Sequence, residues 1–172
     1  MTGLLTSRLT LSELVLEDAR DLFQARGDPR VMAFWDWPAD PDADVTRALI
    51  IEMLQEVLAG HAKYWTLRLR ADGTFVGLCD LSELRHGDCA DIGFMLAHRH
   101  WGQGLAQEAV LAVVEHAREV GLRAVCARVH DENERSVRLL ERVGFVEIER
   151  IPQVEIRPGV FRSCRRLRKI LS

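Results

Sequence analysis

The stretch RHWGQGLAQEA, from Arg99 to Ala109, places two glycines one residue apart at the start of a predicted helix. Glycine inside a helix costs about 1 kcal/mol relative to alanine, so Gly102 and Gly104 need a reason. A helix that begins after a strand presents unpaired N–H groups and a partial positive charge, which together favour an anion. Glycines there would let the main chain approach a phosphate, with Arg99 adding charge. A turn that uses glycine is the alternative.

The hydrophobic pattern on either side of this stretch alternates between strand and helix periodicities. The predicted elements are, in chain order, a strand at 7–14, helices at 16–26, 28–37 and 45–60, strands at 63–70, 74–84 and 88–96, a helix at 103–120, a strand at 123–129, a helix at 133–143 and strands at 145–151 and 160–171. The segment ADG (71–73) predicts a hairpin, and HGD (86–88) predicts a turn. This order predicts one α/β domain over residues 1–172, with parallel pairing within 88–130.

Composition excludes several classes of partner. The formal net charge of −3 gives no general attraction to nucleic acid or anionic lipid. The basic run RSCRRLRK (162–169) alternates in part with apolar residues, which favours a terminal strand with one solvated face over a nucleic-acid patch. No apolar run approaches the ~20 residues of a membrane span, and the first residues lack a secretory pattern. We therefore expect a cytoplasmic protein.

The cysteines and histidines predict no metal site. Cys79, Cys89, Cys126 and Cys164 are widely spaced and form no C-x-x-C pair, so free thiols in a reducing compartment are expected. The histidine pair in HRH (98–100) has no partner ligands at suitable spacing.

Three phosphate-binding motifs compete for the glycine pair. The P-loop requires G-x-x-x-x-G-K-[ST], whose spacing and lysine are absent, and the dinucleotide fingerprint requires a third glycine where Gln107 stands. What remains is R-x-x-G-x-G, from Arg99 to Gly104. It resembles the pyrophosphate-binding motif (Q/R)-x-x-G-x-(G/A) of the GNAT N-acetyltransferase superfamily. The run NERSVRLLERVGF (133–145) is similar to a signature of the branch that acetylates ribosomal-protein N-termini.

This resemblance implies a fold, a reaction and partners. The expected fold is a mostly antiparallel sheet of six to seven strands, with a parallel pair at the cofactor cleft and about four flanking helices. Acetyl-CoA is the implied co-substrate, without a metal. The acceptor would be a primary amine, either a protein N-terminus or a small amine or amino acid. The protein would act as a monomer or homodimer, without nucleic acid or membrane.

The resemblance also implies which residues hold CoA. The backbone of strand 88–96 would line up the pantetheine arm, and its N–H groups near Phe94 to Leu96 would meet the oxyanion. The implied cofactor-binding residues are Phe94, Met95, Leu96, Arg99, Gly102, Gln103, Gly104, Leu105, Ala106, Asn133, Ser136 and Arg138.

The catalytic groups are suggested by an absence. In much of the superfamily, a tyrosine seven residues after the helix-starting asparagine acts as the proton donor. This chain has Leu140 at that position. Ser136 stands where the branch signature has its serine, so the resemblance implies Ser136 as the best candidate to hydrogen-bond the leaving sulfur. For the base, Asp91 acting through water comes first and His130 second. A transfer of this kind needs a neutral amine, donors for the oxyanion and a proton for the thiolate.

Each of these residues also has a purely structural explanation. Asn133 is a favoured helix N-cap, and Ser136 can face solvent one turn later. Asp91 can face water from its strand, His130 can be an ordinary surface histidine, and Trp101 is expected to pack its loop against the domain. The alternative function is a non-catalytic module that binds acyl-CoA as a sensor.

Overall fold

A computed structural model of the chain describes residues 3–84 and 89–171. These residues form one eight-stranded sheet in the order β1-β2-β3-β4-β5-β6-β8-β7. The strands are β1 (Leu4–Leu5), β2 (Leu9–Glu13), β3 (Lys63–Leu69), β4 (Phe75–Ser82), β5 (Cys89–Leu96), β6 (Ala124–His130), β7 (Val146–Arg157) and β8 (Val160–Ile170). The predicted mixed α/β sheet is confirmed. It has one strand more than predicted because the two-residue β1 pairs with β2.

Helices lie between the strands, close to the predicted positions. They are α1 (Ala19–Arg26), α2 (Pro29–Met32), α3 (Ala43–Leu58), α4 (Leu105–Glu119) and α5 (Glu134–Arg142). The largest difference concerns the prediction at 28–37, of which only α2 is helical. Asp28 caps α2 and Pro29 occupies its first position, but the aromatic residues that follow form a turn.

Strand β5 is paired from Asp91 to its end on one side and only at its start on the other. It pairs with β4 in an antiparallel ladder from Asp91 to Leu96. Its parallel ladder with β6 runs from Cys89 opposite Ala124 to Asp91 opposite Cys126 and then stops. The predicted parallel pair is therefore confirmed, and beyond Asp91 the two strands diverge around a gap. The predicted turn at 86–88 lies outside the described residues.

Helices cover both faces of the sheet. Val110 and Val113 of α4 belong to one buried cluster with Leu67. Leu22 of α1 and Ile50 of α3 belong to a second buried cluster. Each fully buried aliphatic side chain of this kind stabilises the fold by about 1.5–3 kcal/mol, so the gap between β5 and β6 opens in a rigid frame. Within residues 3–84 and 89–171, no helix has the length and apolarity needed to cross a membrane.

Candidate active site

Two cavities meet at the gap between β5 and β6. One, here called the helix cavity, lies at the start of α4 and has a volume of about 670 Å³. The other, the sheet cavity, lies over β4 and β5 and has a volume of about 550 Å³. The residues that line both cavities are Phe34, Trp35, Phe94, Met95, Asn133 and Ser136. A molecule in one cavity can therefore touch a molecule in the other at this junction.

The glycine pair has a conformational reason. Gly102 and Gly104 have φ angles of +75° and +76°, in the left-handed region that residues with a Cβ rarely adopt. A Cβ on Gly102 would meet no atom within 4 Å, so backbone conformation rather than crowding selects glycine there. Gly104 is the N-cap of α4, and both glycines line the helix cavity. The same two glycines therefore form the turn before α4 and leave its backbone N–H groups open to the helix cavity.

The start of α4 is held by a carboxylate that sequence reasoning did not identify. Glu108 accepts hydrogen bonds from the Arg8 backbone N–H at 2.7 Å, from Arg8 Nε at 2.7 Å and from Thr6 Oγ1 at 2.5 Å. Burial works to raise its pKa, but these hydrogen bonds lower the pKa of Glu108 to about 2. Arg8 Nη1 also donates to the Gln103 carbonyl at 2.9 Å. The segment before β2 thereby fixes the glycine turn.

The positive charges of the helix cavity come from α5. Arg135 and Arg142 line it, and the Arg135 guanidinium lies 4.5 Å from the centre of the Trp101 ring. Neither arginine was assigned from the sequence. They stand seven residues apart, which places them on one face of a helix, and this spacing was the available signal.

The cofactor-binding residues implied by the resemblance divide into two groups. Three lie outside the residues that line the two cavities: Arg99 Nη2 donates to the Phe75 carbonyl at 3.1 Å, Gln103 Nε2 donates to the Arg99 carbonyl at 2.9 Å, and Arg138 pairs with Glu134 at 3.0 Å. Those that line the helix cavity are Phe94, Met95, Leu96, Gly102, Gly104, Leu105, Ala106, Asn133 and Ser136.

The start of α5 combines a structural role with a place at the junction. Asn133 Oδ1 accepts from the Ser136 N–H at 3.3 Å, which confirms the predicted N-cap. Both residues nevertheless line both cavities. Leu140 is fully buried in the core and lines neither, so a side chain there points away from the junction. Trp101 Nε1 donates to the Leu96 carbonyl at 2.9 Å, as expected for a packing residue.

The sheet cavity brings together the two predicted bases, each already engaged. Asp91 Oδ1 accepts from Arg166 Nη2 at 2.9 Å. His130 is 5% exposed, and its Nε2 lies 3.0 Å from Asp36 Oδ1. Asp36 also pairs with Arg128. When Nε2–H donates to Asp36, Nδ1 keeps its lone pair, and it is buried without a partner among the described residues.

A third carboxylate of this cavity, Asp80, was not identified from the sequence. It stands opposite Gly93 in the β4–β5 ladder, and a Cβ on Gly93 would come within 2.3 Å of Asp80 Oδ1. Burial, with a smaller contribution from Asp91, raises the pKa of Asp80 to about 7. The signal available in the sequence was one aspartate inside the otherwise apolar strand FVGLCDLS.

No cluster of three or more metal-ligating side chains occurs within the described ranges 3–84 and 89–171. The four cysteines are free thiols, as the sequence predicted.

Known proteins resemble this chain in sequence and in fold. The acetyltransferase (GNAT) domain matches residues 8–146. An uncharacterised N-acetyltransferase of Bacillus licheniformis, p20, is 32% identical over 149 residues, which span 84% of this chain and 83% of that protein. A solved structure of the spermidine N-acetyltransferase of Vibrio cholerae, in complex with CoA and spermine, has a TM-score of 0.84 to this chain at 20% identity. The match covers 96% of this chain and 97% of that protein's chain.

A second solved structure is equally similar. The acetyltransferase of Salmonella typhimurium that modifies the N-terminal serine of ribosomal protein L7/L12 has a TM-score of 0.87 at 18% identity, covering 97% of each chain. The family match spans most of this chain, and the relative from Bacillus licheniformis agrees with it. The chain belongs to the GNAT acetyltransferase family. The resemblance inferred from R-x-x-G-x-G is confirmed.

Proposed function

We propose that this protein is an acetyl-CoA-dependent N-acetyltransferase that moves an acetyl group to a primary amine by direct attack in a ternary complex. The observation that supports this most strongly is the junction of the two cavities at Phe94, Asn133 and Ser136. A donor in one cavity and an acceptor in the other would meet there. Holding both reactants in this geometry supplies much of the rate without a covalent intermediate.

In this proposal CoA occupies the helix cavity. Its pyrophosphate is held by the N–H groups of residues 102 to 106, where the left-handed glycines open the start of α4. Arg135 and Arg142 add positive charge from the cavity wall. Arg99, whose guanidinium donates to the Phe75 carbonyl, would act on the phosphates only at longer range. The pantetheine arm lies along the edge of β5 that β6 leaves unpaired beyond Asp91. Backbone N–H and C=O groups of β5 bind the arm there, so its binding requires no particular side chains.

The chemical step follows from the same arrangement. Backbone N–H groups near Phe94 to Leu96 stabilise the charge that develops on the thioester oxygen. Ser136 hydrogen-bonds the leaving sulfur and passes it a proton through water, since a serine hydroxyl is itself a weak acid. Asp91 and His130 lie beside the acceptor in the sheet cavity.

The acceptor class is supported by the relatives. The enzyme of Vibrio cholerae acetylates spermidine, and that of Salmonella typhimurium modifies an N-terminal serine. Both acceptors present a primary amine, and we propose the same class for this chain. The sheet cavity, of about 550 Å³, accommodates a small amine or the first residues of a peptide.

The test is a screen for thiol release. The protein is incubated with acetyl-CoA and a panel of small amines, polyamines, amino acids and N-terminal peptides, and free CoA is detected with a thiol reagent. Release that depends on one class of amine supports the proposal. Tight CoA binding without release on any amine would instead indicate a non-catalytic acyl-CoA sensor.

A further inference from the structure

The floor of the sheet cavity carries a carboxylate close to the junction. Asp80 pairs in register with Gly93, the residue before Phe94. The 2.3 Å separation between Asp80 Oδ1 and a Cβ built on Gly93 shows that the carboxylate lies directly over this glycine. Phe94 lines both cavities. Asp80 therefore lies beside the residue that precedes Phe94, next to the junction where donor and acceptor would meet.

This carboxylate has no partner within residues 3–84 and 89–171. Its neighbours differ, since Asp91 accepts from Arg166 and Asp36 accepts from Arg128 and His130. The Asp80 side chain is half-buried, yet it takes part in neither a hydrogen bond nor an ion pair among the described residues. A partly desolvated carboxylate without a cationic partner costs free energy, and a cationic ligand would reduce that cost.

The walls of the cavity indicate what the cation is attached to. Leu22, Leu49 and Met53 contribute aliphatic surface, and Trp35 and Tyr64 contribute aromatic surface. A second ammonium group, as in a polyamine, would find Asp36 and Asp91 already paired with arginines. Glu83, which also lines the cavity, is likewise already engaged in an interaction. The cavity thus matches a single ammonium group on an apolar body.

We propose that Asp80 binds the ammonium group of the acceptor and takes its proton, and that the acceptor is a primary amine bearing an apolar or aromatic group. This inference rests on the proposed acetyltransferase function. One ammonium proton passes to the Asp80 carboxylate, and the amine lone pair then forms the C–N bond at the thioester carbonyl. The C–S bond breaks, and the second amine proton reaches the CoA sulfur. Asp80 finally returns its proton to solvent.

The surroundings of Asp80 suit this role. Burial raises the pKa of the Asp80 carboxyl to about 7, and a general base is most effective when its pKa lies near the working pH. Burial also raises the pKa of Tyr64 to about 12, which removes it from this range. The charged or titratable groups that face the cavity with Asp80 are Arg26, Asp36, Tyr64, Glu83, Asp91, Arg128 and His130. His130 faces the same cavity and therefore needs its own control.

The experiment compares the whole protein with four variants. The probe is 2-phenylethylamine, with acetyl-CoA in excess, and kcat/KM is measured between pH 5.5 and 9. Asp80→Asn is the test, with Asp91→Asn and His130→Gln alongside. Asp72→Asn, in the exposed turn between β3 and β4, is the matched carboxylate-to-amide control. Calorimetry with CoA reports the donor site of each variant independently of turnover.

The expected result is a loss of about 100-fold or more in kcat/KM for Asp80→Asn, the scale of general base catalysis. CoA affinity should stay unchanged. The rise of kcat/KM near pH 7 should disappear in Asp80→Asn and persist in His130→Gln, while Asp91→Asn loses less. Activity of Asp80→Asn within about threefold of wild type overturns the inference, as does a profile that keeps its break near pH 7.

A measurement without turnover separates this inference from the proposed function. Wild type that releases no thiol with any amine contradicts the acetyltransferase proposal itself. The Asp80 carboxyl can then be followed by ¹³C NMR, assigned through the signal missing in Asp80→Asn. A shift of this signal when 2-phenylethylamine is added in the presence of CoA supports the amine site. No shift at saturating amine overturns it.

Discussion

Arg26 and Asp40 form a bidentate ion pair, with Nε 2.7 Å from Oδ2 and Nη2 2.8 Å from Oδ1. Their side chains are only 8% and 4% exposed, and Thr46 Oγ1 donates to Asp40 Oδ2 at 2.7 Å. The pair ties α1 to the segment between α2 and α3, which carries Phe34 and Trp35 to the cavity junction. The shape of the sheet cavity depends on it.

Asp40→Asn is therefore expected to lower the free energy of unfolding by about 3–5 kcal/mol, because it leaves the buried Arg26 charge without its anion. Urea denaturation measures the loss. Asp28→Asn is the matched control, since the pair of Asp28 with Arg30 is exposed and asparagine still caps α2. Equal losses in the two variants would contradict the special role of the buried pair.

The same ion pair gives the protein a sensitivity to acid. Burial works to raise the pKa of Asp40, but the hydrogen bonds from Arg26 and Thr46 lower it overall. A carboxyl with a lowered pKa in the folded state contributes stability above its unfolded pKa of about 3.9 and loses it as the pH falls further. The difference in stability between wild type and Asp40→Asn should accordingly shrink in acid.

Gly104→Val should weaken CoA binding at least about tenfold, which corresponds to ~1.4 kcal/mol. Valine resists the left-handed φ of +76°, and the N–H groups that follow would lose their orientation. Gly73→Val is the matched control, because Gly73 has a φ of +75° in a turn that lines neither cavity. Calorimetry with CoA decides. The interpretation fails if both variants bind CoA as wild type does.

Arg142→Ala should weaken CoA binding more at low salt than at high salt, because salt screens its attraction for the phosphates. Arg99→Ala should show a smaller effect, since the Arg99 guanidinium is directed at the Phe75 carbonyl. Arg118→Ala, at the far end of α4, serves as the control for loss of one positive charge. An Arg142→Ala loss that is the same at 50 mM and 500 mM salt would indicate packing instead of charge.

Ser136→Ala should lower kcat by roughly 10- to 1000-fold, the range for loss of one donor that acts mainly in the transition state. CoA affinity should change little, and the fold should persist because alanine is the better helix former. Steady-state kinetics and calorimetry together test this. A normal kcat would show that Ser136 is an ordinary first-turn residue whose N–H is capped by Asn133.

Asp80→Asn should stabilise the protein at pH 8 and have little effect near pH 4. The pKa of Asp80 is raised to about 7, so its favourable contribution is complete below the unfolded pKa of about 3.9 and is lost as the pH rises through 7. The penalty at pH 8 is at most about 4 kcal/mol. Calorimetric Tm values from pH 4 to 8 measure the difference. A constant difference between the two proteins would count against the assignment.

The sequence predicted the elements of the fold because their patterns are local. The face of α4 that contains Val110 and Val113, the glycines that end helices, and the N-cap at Asn133 can all be recognised within one helix length. The turn after Met32 could not be predicted, since the tertiary position of Trp35 at the junction overrides the helical preference of the segment.

Candidate site residues could be predicted from the sequence where they belong to one motif, and could not where they meet across strands. Gly102 and Gly104 stand in a short pattern with a mechanism. The role proposed for Asp80 rests on its position over Gly93, on a neighbouring strand, and on the lack of a partner among the described residues. Arg166 engages Asp91 from a strand far along the chain. Register between distant strands determines these relations, and a single sequence does not contain it.

The wall of the sheet cavity also contains the chain's only tyrosine, Tyr64. Biosynthetic replacement of tyrosine by 3-fluorotyrosine would therefore give a single ¹⁹F resonance, with no assignment to make. That resonance would sense whatever enters the cavity beside it. Fluorinated Tyr64 thus reports how fully each acceptor amine occupies the sheet cavity. Amines can be ranked in this way before any of them has been shown to be acetylated.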